Sequence, residues 1–119
     1  MANDFIRICT PNISNSSNST IYAVPAGAGS SALESIVIGI TMANKTSSGV
    51  TASIFIDNED GSNDVFIVKD ASIPAGASLE VMSGNKLVLQ NDGSNGDNLE
   101  AICSAANSVD VTVSILQDV

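Results

Sequence analysis

Short runs of β-branched and aliphatic residues recur along the whole chain, separated by stretches rich in Gly, Pro, Asn, Asp and Ser. This rhythm constrains the fold more than any other feature. The runs are FIRIC (5–9), TIYAV (20–24), SIVIGITMAN (35–44), VTASIFID (50–57), VFIVKDASI (65–73), SLEVMS (78–83), KLVLQ (86–90), NLEAICSA (98–105) and VDVTVSIL (109–116). Their spacing is close to the roughly 8–12 residues of all-β sandwiches and barrels. In VDVTVSIL, Val109, Val111, Val113 and Ile115 alternate with Asp110, Thr112 and Ser114, the period of a half-buried strand. SIVIGITMAN is apolar nearly throughout and is expected to be central and buried on both faces. ALESIV (32–37) holds one helical turn at most, because β-branched residues follow. The expectation is one antiparallel β-sandwich, jelly-roll or immunoglobulin-like, over residues 1–119, with 1–19 an extended arm and polar loop.

The phrase VPAG (24–27) returns as IPAG (73–76). Proline cannot donate to a strand ladder, and glycine turns the chain. Pro25 with Gly27, and Pro74 with Gly76, therefore read as two strand-to-strand corners. PNISNSSNS (11–19), AGAGSSA (26–32), KTSSG (45–49), NEDGSND (58–64), Gly84-Asn85 and NDGSNGD (91–97) read as loops and turns.

Composition removes most chemistries. The chain has 119 residues, enough for one domain with one core. Hydrophobic residues reach 44%, yet charged residues are 14%, well below the usual quarter or so. Ser, Thr and Asn supply the polarity, a surface suited to packing against neighbours. The net charge is −9, and Arg7, Lys45, Lys69 and Lys86 form no basic run. Binding driven by nucleic-acid phosphates or by an anionic membrane is not expected. There is no histidine, so no Ser-His-Asp or Cys-His mechanism can be assembled within the chain. Cys9 and Cys103 are too few for a zinc site. They are either one disulfide or two small thiols.

Asp57, Glu59, Asp60 and Asp64 crowd into and around NEDGSND, oxygen ligands of the kind calcium takes. The EF-hand spacing fails, since it would put Ile56 at the first ligand position. A solvated loop tip is the expectation, with these four as weak calcium candidates and no metal or cofactor otherwise. Asp92 and Asp97 read the same way. Glu80 and Glu100 are candidate paired carboxylates for glycoside hydrolysis. The chain has no Trp, one Tyr and three Phe, so it lacks the usual aromatic lining of a sugar cleft. No enzymatic activity is expected. Four N-x-Ser/Thr sequons, at Asn12, Asn15, Asn18 and Asn44, follow from the Asn and Ser richness. MANDFIRICT has neither the basic nor the apolar region of a signal peptide, so folding in a cytoplasm is expected. The apolar stretch 36–43 is too short to span a bilayer.

The order of strands and corners resembles a family of virion structural proteins of tailed bacteriophages. In that family IYTVPA leads into VIGL-x-L-AN, then VKD-x-x-IPAGSSLEV, KLVL and A-x-S-V-D-V-x-x-S-x-L follow. The corresponding parts here are 21–26, 37–44, 68–81, 86–89 and 105–116. The loop 11–19 and the connection 26–35 depart from the pattern. The resemblance implies a non-enzymatic β-sandwich in the virion, assembled in the host cytoplasm. Its first placement is a capsid decoration or cement protein bound to the major capsid protein. A homo-oligomer is then expected, and a trimer matches a three-fold position. The alternatives are a tail, neck or fibre accessory and a lectin-like host-recognition module. Phe5, Ile6, Arg7 and Ile8 are the interface candidates, because FIRIC is set off by a polar loop and could add to a neighbour's sheet edge. Deleting residues 2–10 is then expected to abolish particle binding while leaving the rest folded.

Overall fold

The computed structural model describes residues 3–57, 64–82 and 86–118. Nine strands are formed among them: β1 (Asn3–Thr10), β2 (Ser19–Ala23), β3 (Leu33–Asn44), β4 (Val50–Asp57), β5 (Asp64–Ile73), β6 (Ser78–Glu80), β7 (Leu87–Asn91), β8 (Asn98–Cys103) and β9 (Val109–Asp118). Each falls on one of the runs read from the sequence. β6 stops early, at Glu80. Val81 and Met82 turn onto the core instead, and Gly84 and Asn85 lie outside the described residues.

All pairings are antiparallel, and they nest. β1 pairs with β9, β2 with β8, β3 with β6 and β7, and β4 with β5. That is one long hairpin. Folding it over brings β9 beside β3 and β8 beside β4. Two sheets result, ordered β1-β9-β3 with β6 and β7 both on β3, and β2-β8-β4-β5. This is the strand order of a jelly roll, the first of the two sandwich types expected, with β6 and β7 sharing one strand position. β3 is long enough for both: 41–43 face β6 and 33–37 face β7.

The residues facing inward form one core. Val37, Ile40, Met42, Ile54, Ile73, Leu89, Leu99, Val113 and Ile115 lose all solvent contact. Burial of each such aliphatic side chain stabilises the fold by about 1.5–3 kcal/mol. Tyr22, the chain's one tyrosine, also crosses between the sheets. Its hydroxyl lies 2.8 Å from Ser35 Oγ and accepts a hydrogen bond from Gln117 Nε2 at 3.0 Å. The polar tip is thus satisfied inside the sandwich.

Two expectations are corrected here. SIVIGITMAN is central but not buried on both faces. Leu33, Ser35, Val37, Ile40, Met42 and Asn44 face the core, while Ile36, Ile38, Thr41 and Ala43 lie on the outer side. A bulge between Val37 and Gly39 keeps the inward set in step. The physical reason is the two-layer build, since an antiparallel sheet in a sandwich has one face without a covering layer. Residues 3–10 do not stand off as an arm either. They form β1, paired along its whole length with the last strand, and Ile6 and Ile8 pack on the core. Deleting 2–10 would strip those contacts and bare the edge of β9.

Candidate interaction site

On the outer face of the first sheet, register and alternation line up side chains from four strands. Phe5 pairs with Leu116, Leu116 with Ile36, and Ile36 with Val88. The row runs straight across β1, β9, β3 and β7, about 14 Å at roughly 4.8 Å per strand step. Ile38 extends it at the bulge. Phe5 is 77% exposed, Val88 52% and Ile38 40%, and Ile36 and Leu116 are half-buried between them. A soluble surface scatters apolar side chains singly; a row of them marks a contact surface. Arg7 lies on one side of this row, in register with Ser114. Lys86 precedes β7 on that same side and is exposed. Glu34, paired with Gln90, lies on the other side. None of Arg7, Lys86 and Glu34 has an ion-pair partner among the described residues.

The outer face of the second sheet is organised differently. Register places Thr20, Glu100, Phe55 and Phe66 in one row across β2, β8, β4 and β5. Phe55 and Phe66 stack with ring centroids 5.1 Å apart and planes tilted by 40°. Lys69 Nζ sits 5.0 Å from the Phe66 centroid, a cation–π contact on the outer ring of the pair, which stays 43% exposed. Phe55 is consequently 2% exposed although it lies outside the core. Glu100 accepts a hydrogen bond from Thr20 Oγ1 at 3.3 Å. Its carboxyl is nevertheless raised above the usual range, chiefly by desolvation and then by repulsion from Asp57 and Asp64.

The acidic residues of the candidate sites are spread over the fold. Asp57 and Asp64 oppose each other at the end of the β4–β5 pair; Glu59 and Asp60 lie outside the described residues. Among the described residues, no three His, Cys, Asp or Glu side chains come together to hold a metal ion. Asp92 accepts from the backbone N–H groups of Ser94 and Asn95, both at 2.8 Å, and these bonds hold its carboxyl below the usual range. Asp97 accepts from Gln90 N–H at 2.9 Å. Glu80 belongs to the first sheet and Glu100 to the second, with inward-packing Leu79 and Leu99 beside them. The two carboxylates therefore project from opposite sides of the sandwich and cannot flank one substrate. The cysteines are free: Cys9 is exposed on β1, and Cys103 is buried on β8 in the other sheet.

Both proline corners carry the chain from the second sheet to the first, and both are pinned by an asparagine. Asn91 Nδ2 donates to the Val24 carbonyl at 2.8 Å. Asn44 Nδ2 donates to the Ile73 carbonyl at 3.0 Å, and more distantly to that of Pro74. In each case the acceptor is the residue before proline or the proline itself. Gly76 has φ +68°, the left-handed conformation its turn requires. Gly27 is instead held in a bridge with Ser31, where a Cβ would collide with Ser31 Oγ. A recess of about 320 Å³ opens beside this corner, lined by residues 25–28 and 31–33, all without titratable groups. Of the four interface candidates, Phe5 and Arg7 point out beside the apolar row, and Ile6 and Ile8 point in. Sequence reasoning missed Ile36, Ile38, Val88 and Leu116. The signal was present: IVIGI and LVL carry apolar residues at both parities, and a two-layer sandwich leaves one parity outside.

No protein-family model matches the chain, and no curated protein matches it significantly. Among solved structures, the chain is similar to one described under Bacillus endospore appendages that form a novel family of disulfide-linked pili. There the TM-score is 0.41 at 14% identity, over 99% of this chain and 88% of the other. It is also similar to a chain of infectious bursal disease virus, Gx strain, with a TM-score of 0.44 at 13% identity over 97% of this chain. This chain spans about a third of that viral protein, 32% of its length.

Proposed function

We propose that this chain is a non-enzymatic structural protein of a bacteriophage particle, and that it decorates the capsid by binding the major capsid protein on the outside of the shell. The observation that carries this reading is a jelly roll that leaves contact surface open outside its apolar row: unpaired sheet edges at β1 and β5 and an exposed polar turn between β1 and β2. The strand and corner pattern of tailed-phage virion proteins supports it, because the shared VPA and IPAG segments are the pinned corners that set the jelly roll. The low density of charge supports it as well. Nine net negative charges favour an outer surface over contact with packaged DNA. A ligand that binds only the assembled shell stabilises the shell by mass action. The exposed polar residues 15–18 and the open edges at β1 and β5 are the contacts assigned to the shell.

The test is co-sedimentation of the full chain with capsids stripped of it and, in parallel, size-exclusion chromatography with unassembled capsid protein. Binding to shells alone, with a raised temperature of shell disruption, is the expected result. Binding to neither sinks the decoration reading.

A further inference from the structure

The apolar row points to a specific partner. We infer that the outer face of the first sheet binds a second copy of this chain, face to face, about a two-fold axis lying along the Phe5–Leu116–Ile36–Val88 row. The inference does not rest on the capsid reading, and either can fail without the other.

Charge placement selects the second copy. The apolar row has a basic side, with Arg7 and Lys86, and an acidic side, with Glu34. Two of the chain's four basic residues therefore stand beside this one row, although the chain as a whole carries −9. A two-fold rotation about the row lays each apolar residue over its own equivalent. It also exchanges the two sides, so the Lys86 side of one copy meets the Glu34 side of the other. Gln90 pairs with Glu34, so Glu34 lies one strand, about 4.8 Å, from the β7 position that Lys86 faces across the axis. A lysine spans that offset. The surface is thus complementary to itself, as an isologous interface must be. Stacked sheets pack about 10 Å apart, close enough for Phe5 and Val88 to be covered. The arrangement gives two copies, where capsid symmetry alone suggested three.

Sedimentation equilibrium on the full chain at micromolar concentration tests this. A dimer is expected. Phe5→Asp and Val88→Asp should each weaken it about tenfold or more, because each puts a charge against its own equivalent on the two-fold axis. Their circular-dichroism melts should stay close to the parent's, since both side chains are exposed. Phe66→Asp, on the opposite face, should leave the dimer intact. Glu34→Lys and Lys86→Glu should each weaken association, and the two together should restore it. A monomer, a trimer, or a dimer indifferent to Phe5→Asp and Val88→Asp overturns the inference. Failure of the double charge exchange to restore association overturns the two-fold geometry.

Discussion

The two outer faces of this sandwich each carry aromatic side chains, yet Phe55 on the second sheet is buried by its own chain while Phe5 on the first is left 77% exposed. On the second sheet, Phe55 is closed over by Phe66, which carries the Lys69 contact and itself stays 43% exposed. On the first, Phe5, Ile38 and Val88 stay open, and the charges nearest them stand beside the row and do not cap it. The difference separates two uses of the same chemistry. An outer-face aromatic that is covered by its own chain contributes to folding stability. One left open contributes less to folding and is available to a partner.

Substitutions that exchange these properties break the comparison. The largest stability effect is expected from Phe55→Ala, a loss of about 3 kcal/mol in urea unfolding, with association unchanged while the chain remains folded. Phe5→Asp should do the reverse. Its unfolding free energy should move by less than about 0.5 kcal/mol, while its dimer constant weakens about tenfold, equivalent to about 1.4 kcal/mol. Equal effects of the two substitutions on stability would erase the distinction between the faces. Tyr22→Phe lies between the faces and removes the hydroxyl shared by Ser35 and Gln117. It should cost about 1 kcal/mol of stability and leave association alone. Lys69→Ala should cost about 0.5 kcal/mol by removing the cation–π contact on Phe66, again without effect on association.

The smallest effect belongs to Glu100, whose folded-state pKa is raised above 4.5, first by desolvation. The folded chain therefore holds this proton more tightly than the unfolded chain. Its contribution is most favourable below the unfolded value and is lost as pH rises from about 4.5 through the raised folded value. Glu100→Gln should remove that decline and be more stable than the parent at neutral pH, by less than about 0.5 kcal/mol for a partly exposed group. Urea unfolding of both proteins at acid and neutral pH checks the sign.

The strands were legible because their signal is local. Alternation in VDVTVSIL and the turn residues between runs placed all nine. Sheet membership was not legible, because it depends on how a long hairpin folds over itself. The two faces of SIVIGITMAN show the limit: an apolar run reads the same whether a second layer covers it or not. The corners were readable as corners from Pro25 and Pro74. Their pins were not, since Asn91 reaches Val24 across 67 residues and Asn44 reaches Ile73 across 29. The candidate site was half legible. Phe5 and Arg7 stood out as a β-prone segment beside a polar loop. The rest of the row comes from register across β9, β3 and β7, which no single segment encodes.

The measurement that tests the account most directly is the copy number of this chain per purified virion, by quantitative mass spectrometry against the major capsid protein. A ratio near that of the capsid protein is the predicted result and matches a protein that covers the shell. Absence from the purified particle would contradict the account.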